Sequence, residues 1–311
     1  MPGRTTPRIR CLGGVTIDRK LKSWKPLRRG TSNPVTSLST FGGVAHNVAL
    51  NLRQLTSNIS LQSAVGNDDD GYRILAHVRE HRIAADDILI LAQQRTAHYD
   101  AILDEEGELY LALADMAIFD SIPCRSFIQA WDAWAEHDLV FLDTNLPEAI
   151  LEQAINTARV KKIRLAVDPV SVSKAQKLPH SLEGVLFIKP DRLEAEALSG
   201  VSIQSTADCF KAGKILLNRG VQHVIISLGK DGYVVVNAAM QKQVPAKIVH
   251  ALVDVSGAGD AFVAGMLYSI KQGGDILDAC QMGENAAIRA LYSYQNVALT
   301  PIDSVQEQCV F

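Results

Sequence analysis

The chain lacks the marks of several function classes. Its five cysteines (Cys11, Cys124, Cys209, Cys280 and Cys309) are scattered, and no two stand at CxxC spacing. That argues against a zinc ribbon or a dithiol redox centre. Free thiols in a reducing cytoplasm are the simplest account, so a cytoplasmic location is expected. The eight histidines show no metal-ligand spacing. No apolar run approaches the roughly 20 residues that a membrane helix needs. No apolar core follows the arginines of residues 1–10, so no secretory signal is expected. Neither sign of charge is in large excess: the formal net charge is −3, without the basic face of a nucleic-acid binder. No GxxxxGK(S/T) loop and no GxSxG elbow occur, which removes the P-loop and α/β-hydrolase chemistries. No internal repeat or low-complexity tract interrupts the chain. What remains is 311 residues, 47% hydrophobic and 21% charged, enough to bury the core of a soluble globular enzyme.

The amino-terminal part reads as β-rich. Residues 9–17 predict a first strand, followed by a polar stretch over 18–29 and a Ser/Thr-rich extended segment over 31–41. Val44, Val48, Leu52 and Leu55 then recur at helical spacing. Residues 96–103 and 108–113 flank Asp104-Glu105-Glu106-Gly107 and predict a hairpin. From Asp138 the rhythm changes. Strands over 139–142, 163–167, 184–188 and 224–227 alternate with helices over 147–160, 192–198 and 209–218. Such alternation predicts a mostly parallel sheet with helices on both faces. Ligands in these sheets bind beyond the carboxyl ends of the strands, where Asp143, Asp168, Asp191 and Ser227 fall. The early strands and the hairpin are expected to make a small covering sheet.

Five segments carry candidate chemistry. Asp254-Val255-Ser256-Gly257-Ala258-Gly259-Asp260 runs into an apolar helix. Its glycines expose backbone N–H groups at a helix mouth, where an anion is stabilised. A carboxylate there would repel the anion unless it has a task, and taking a proton from an attacking hydroxyl is such a task. This predicts phosphoryl transfer with Asp260 as base. Gly42-Gly43 opens a helix and lets a ligand approach the backbone; Asn47, one turn on, can donate and accept toward sugar hydroxyls. The same residues also suit a plain strand-to-helix turn. Asp18 can accept from two vicinal hydroxyls or serve as a turn aspartate. Ser227, Gly229 and Gly232 could let a nucleotide lie on the backbone, or make a simple Asp-Gly hairpin turn. Glu194 of Asp191-Arg192-Leu193-Glu194 could hold the waters of a magnesium ion, or complete a helix cap.

The order of these segments resembles the PfkB (ribokinase-like) carbohydrate kinases over about residues 9–300. The resemblance rests on GG-x-x-x-N near residue 45, D-x-x-E after a strand, S-L-G-x-x-G, and GAGD near residue 260. It implies a ribokinase-like α/β domain over 1–311: three layers, α/β/α, a mostly parallel central sheet, and a small β-sheet lid from about 18–41 and 95–115. It implies ATP and Mg2+ as cofactors and a primary hydroxyl as acceptor, with Asp260 as base and the Gly257, Ala258 and Gly259 N–H groups as the anion hole. Thr16, Asp18, Gly42, Gly43, Asn47 and Asp143 would hold the sugar. Asp191, Ser227, Gly229, Gly232 and Asn285 would line the nucleotide site. Glu194 would act on magnesium through water, and Asp254 with the Ser256 carbonyl would hold a monovalent cation, potassium. The chain departs from the family in having Thr16-Ile17-Asp18 where Asn-x-Asp is common, Asp191 for asparagine, and Val255 in the loop. Thr31-Ser32-Asn33-Pro34, Asp115-Met116, residues 167–171 and residues 189–196 narrow the resemblance to members acting on pseudouridine. The N1–H of that carbon-linked uracil needs an acceptor, and Tyr99, His98 and Asp115 of the lid are the candidates. Another nucleoside or ribose is the alternative substrate, and a nucleoside sensor without turnover the distant one. No nucleic-acid or membrane partner is expected, and the lid suggests a homodimer.

Overall fold

A computed structural model of the chain describes residues 8–247 and 257–292. Its strands are β1 (Ile9–Leu12), β2 (Thr16–Ser23), β3 (Val35–Gly42), β4 (Ile59–Gly66), β5 (Ile88–Leu91), β6 (His98–Leu103), β7 (Leu109–Asp115), β8 (Leu139–Asp143), β9 (Arg164–Asp168), β10 (Val185–Ile188), β11 (His223–Ser227), β12 (Tyr233–Asn237) and β13 (Gln241–Val244). The helices are α1 (Val44–Leu55), α2 (Asp69–Glu80), α3 (Ala117–Asp120), α4 (Cys124–Ile128), α5 (Glu148–Lys161), α6 (Val172–Ala175), α7 (Arg192–Ser199), α8 (Thr206–Asn218), α9 (Ala258–Lys271) and α10 (Ile276–Leu291).

Nine strands form one sheet in the order β13-β12-β11-β10-β9-β8-β1-β4-β5, parallel except for β12, which runs antiparallel to both β11 and β13. The inner strands are dominated by apolar residues, as suits strands covered on both faces. Their side chains alternate between two cores. Val140, Leu142, Leu165 and Val167 pack with Ile150, Leu151 and Ala154 of α5 and with Ala212 and Leu216 of α8. Leu139, Phe141 and Ala166 pack on the other side with Val48 and Leu52 of α1, Ile74 and Val78 of α2, and Val263 and Met266 of α9. Each such aliphatic side chain contributes roughly 1.5–3 kcal/mol on burial. The result is the expected three-layer α/β/α arrangement of a ribokinase-like fold.

The other four strands form a second sheet in the order β3-β2-β6-β7. The hairpin is β6–β7, with Asp104 accepting from the N–H groups of Glu106 and Glu108 in the turn. One expectation fails here. Residues 9–17 are not a single strand: β1 belongs to the large sheet and β2 to the small one. The chain breaks at Gly13, whose φ is +149°, and a Cβ there would lie 2.1 Å from the Asp143 carboxyl carbon. Asp18 therefore lies inside β2 rather than at the end of the first strand, and the polar stretch after it continues β2 to Ser23. Among the described residues no helix is long and apolar enough to cross a membrane.

Candidate active site

The carboxyl ends of β1, β8, β9 and β10 open toward the starts of α1, α7 and α9. The floor of this crevice is Asp143. It is 0% exposed, and its oxygens accept from the backbone N–H groups of Gly14, Ala45 and Asn145 and from the Asn145 side-chain amide, all at 2.8–2.9 Å. Asp143 was expected to touch sugar; instead, two of its contacts pin the two glycine turns to the sheet and two hold its own loop at Asn145. Above it, Thr16 donates to Asp18 at 2.6 Å, and burial raises the Asp18 carboxyl above the usual range. Gly42 faces Asp18 so closely that a Cβ would lie 2.0 Å from its oxygen. Gly43, at φ +96°, caps α1 and passes Gly14 where a Cβ would meet the carbonyl oxygen at 2.4 Å. Both glycines are thus required by packing, and both leave Asp18 and Asn47 at the crevice.

Asp260 lies in the first turn of α9, whose N-cap Gly257 is left-handed at φ +76°. The Asn47 amide donates to Asp260 at 2.8 Å, tying α1 to α9. Burial pushes the Asp260 carboxyl up to about 7; the Asn47 hydrogen bond opposes this, Asp168 adds to it, and Lys189 opposes it. Lys189 is the residue that sequence reasoning missed. It follows β10, is only 6% exposed, and pairs with Asp168 at 3.2 Å. Burial would lower its ammonium, but Asp168, Glu194 and Asp260 outweigh that and raise it. Its Nζ would lie 3.8 Å from a Cβ on Gly259, so the cation stands beside the GAGD turn. The only sequence signal was a lysine at a strand's carboxyl end.

Asp191 and Glu194 form a capping box on α7: the Glu194 N–H donates to Asp191 at 2.8 Å, and the Asp191 N–H donates to Glu194 at 2.9 Å. One Asp191 oxygen is committed to this cap, and Asp191 lines a groove together with Ser227 and Gly229, the residues with which it was expected to meet the nucleotide. Glu194 is 6% exposed, and burial, then Asp168, push it up to about 7.

A cleft of about 580 Å³ adjoins these groups, lined by Lys189, Ser227, Gly229, Lys230, Gly232, Tyr233, Gly259, Phe262, Glu284, Ala287, Ile288 and Leu291 among others. The turn after β11 holds it open. Gly229 has φ +59° and open space around it, whereas Gly232, at φ +90°, would carry a Cβ 2.0 Å from the Val244 carbonyl. Ser227 and Gly229 are thus at the cleft, and Gly232 is fixed by β13 as well. Asn285 is not among the lining residues: its carbonyl accepts from Lys247 at 2.7 Å, and the next turn of α10 presents Ala287, Ile288 and Leu291 instead. Asp254 and Ser256 lie outside the described residues.

Strand register sorts the small-sheet candidates. Asp18 pairs with Tyr99, and Ile17 pairs with His98, which pairs with Asp115. Paired residues share a face and neighbours alternate. Tyr99 therefore shares the face of Asp18, while His98 and Asp115 take the opposite one. His98 there bonds Asp70 of α2 at 2.8 Å. His98 and Asp115 thus lie on the face opposite Asp18, the one from which His98 and Arg19 reach Asp70 of α2, rather than on the face expected to meet the substrate base.

A family model for pfkB family carbohydrate kinases matches residues 6–298. The chain belongs to that family. It is similar to the pseudouridine kinase of Escherichia coli strain K12, 30% identical over 90% of this chain and 89% of that one. It is also similar to the guanosine-inosine kinase of Exiguobacterium acetylicum, 28% identical over 96% of this chain and 99% of that one. Among solved structures, a carbohydrate kinase from Agrobacterium tumefaciens aligns at a TM-score of 0.80 and 28% identity, over 94% of this chain and 93% of that one. The protein is thus an ATP-dependent sugar or nucleoside kinase. The crevice of this kinase suits the magnesium its family usually employs. Asp168, Glu194 and Asp260 surround one cation, Lys189, and two of the three carboxyls are raised to about 7 by burial and mutual repulsion. A divalent ion would relieve that excess of negative charge.

Proposed function

We propose that this kinase transfers the γ-phosphoryl group of ATP to the 5′-hydroxyl of pseudouridine, giving pseudouridine 5′-phosphate and ADP. One observation carries the catalytic assignment: Asp260, at the mouth of a 14-residue helix, is held by the Asn47 amide and raised to about 7. A base poised near the working pH is suited to accept a proton without being permanently protonated or too weak. Asp260 takes the proton of the 5′-hydroxyl as that oxygen attacks the γ-phosphorus; the bond to the bridging oxygen breaks and ADP leaves. The N–H groups of Gly257, Ala258 and Gly259, with the Lys189 ammonium, hold the transferring group, because phosphoryl transfer needs positioning and charge stabilisation above all. Magnesium, when bound, neutralises the phosphate oxygens, and Glu194 and Asp168 are the residues that would hold it or its waters. Asp18 and Asn47 orient the ribose. Ser227 and Gly229 receive the nucleotide, with Phe262, Ile288 and Leu291 as its apolar wall.

The choice of pseudouridine is supported by the similarity to the Escherichia coli enzyme and by Tyr99, whose hydroxyl shares the face of Asp18 and can accept from the free N1–H of the base. ADP release across pseudouridine, uridine, guanosine, inosine and ribose tests it. Pseudouridine should be preferred, and Tyr99→Phe should lower kcat/KM for pseudouridine about tenfold, the worth of one hydrogen bond, while leaving ribose unchanged. Preference for ribose or a purine nucleoside would overturn the substrate and leave the phosphoryl chemistry standing.

The reading extends to assembly. β7 is exposed along its whole length, and Leu109, Leu111 and Leu113 are 59%, 46% and 52% exposed. An edge strand with apolar side chains invites pairing with another copy. Light scattering should return twice the chain mass; a concentration-independent monomer would remove the homodimer.

A further inference from the structure

A second polar cluster lies outside the crevice, at the end of α2. The segment His77-Val78-Arg79-Glu80-His81 sets two histidines one helical turn apart, so the histidines do contain one metal-ligand spacing. The structure adds Glu80 between them: one ligand atom from each of His77, Glu80 and His81 lies within 4.8 Å of the other two. Glu80 is exposed, so its carboxylate can swing inward without disturbing the core.

The two rings are prepared in ways that ligand histidines usually are. The Nδ1–H of His81 donates to the His77 carbonyl at 2.9 Å, which sets the tautomer and leaves Nε2 with its lone pair. His77 stacks on Phe41, ring centroids 4.0 Å apart and planes within 16°, which fixes the ring plane. Its Nε2 is buried and has no hydrogen-bond partner among the described residues. A buried and unpaired imidazole nitrogen is costly unless something accepts its lone pair or its proton.

We propose that His77, Glu80 and His81 form a binding site for a divalent transition metal of the zinc class, separate from the magnesium position. Two imidazoles and one carboxylate suit zinc, with water as the fourth ligand on the open side. Magnesium and calcium prefer all-oxygen sets, so the two positions select different ions. The bound ion would fix the last turn of α2, whose His77 ring stacks on Phe41, the residue directly before the Gly42-Gly43 turn. The neighbouring ring of His46, 5.4 Å from His77 by centroid, contacts Asn47, so this turn stands close to the residues that hold Asp260.

The test uses the full chain, stripped with chelator and titrated with Co2+ in excess Mg2+, which occupies the oxygen-rich crevice. One Co2+ per chain should bind with a visible absorption band, and Zn2+ should displace it. His77→Gln and His81→Gln should each weaken Co2+ binding by at least about tenfold, with circular dichroism and melting temperature confirming the fold. Glu80→Gln, at an exposed position, should weaken it as well and remains decisive if His77→Gln does not fold. A wild-type chain that shows no saturating band at one equivalent overturns the proposal, as does equal binding by wild type and all folded variants.

Discussion

Asp143 and Asp260 stand at the floor and the rim of the same crevice, and the protein treats them oppositely. Both carboxyls are raised by burial. Among the described residues Asp143 receives four N–H donors, whereas Asp260 receives one amide and remains partly exposed. The first has no lone pair to spare and acts as a rivet between two glycine turns. The second keeps an oxygen for a proton. What separates a structural aspartate from a base here is the number of donors already spent on it.

The largest effect is expected at the rim. Asp260→Asn should lower kcat by about 10²–10⁴-fold, the usual contribution of a positioned base, with the melting temperature and nucleoside affinity little changed. Near-normal turnover would show that Asp260 is not the base. At the floor the effect should be the reverse in kind. Asp143→Ala strands buried N–H groups of Gly14, Ala45 and Asn145, and each such loss costs about 1–3 kcal/mol. Denaturant unfolding should show a loss of at least about 3 kcal/mol, and the loss of activity should follow the loss of folded protein.

A finer test removes the Asn47 amide from Asp260 and reads the position of the pH limb, which the proposed ribose contact of Asn47 does not set. Asn47→Ala removes its amide partner, so the carboxyl should rise further. Its base form is the ionised one, so activity falls below the folded pKa. The acid limb of kcat/KM, expected near pH 7 in the wild type, should move to higher pH, with roughly a tenfold loss at neutrality for about 1.4 kcal/mol. An unmoved limb would mean the amide does not tune the base.

The smallest effect concerns the charge surrounding the rim. Asp260 and Glu194 are raised to about 7 from ordinary carboxylate values. The native state therefore holds protons that the unfolded state has released between about pH 4 and 7. Their contribution to stability is complete below that window and is lost as pH rises through 7. Magnesium should offset the loss, so it should raise the melting temperature more at pH 8 than at pH 5.5, by about 2 °C for each kcal/mol recovered. An equal shift at both pH values would place the ion away from these carboxylates.

Much of the fold was legible because its causes are local. The alternating apolar strands and helices over residues 138–227, the hairpin at Asp104–Gly107, and the D-x-x-E cap of α7 each follow from neighbours within one or two turns. The break at Gly13 was not legible. It depends on Asp143, 130 residues along the chain, pressing against the glycine. Asp115 was misread because its face is decided by register against His98, and Asn285 because Lys247 claims its carbonyl. Lys189 carried almost no signal, since its importance arises only when Asp168, Glu194 and Gly259 converge on it.

The chain's own sequence determined the glycine turns, the helix that starts at Ala258, the acidic residue in its first turn, and the layers that bring strand ends together. These rest on backbone conformation and hydrophobic period, which are properties of short segments. Only the tertiary structure decided how many donors each carboxylate receives, where the buried Lys189 ammonium offsets three acids, and which lid residue shares the face of Asp18. Those outcomes depend on burial and through-space distance between residues far apart in the chain, and no spacing along the sequence encodes them.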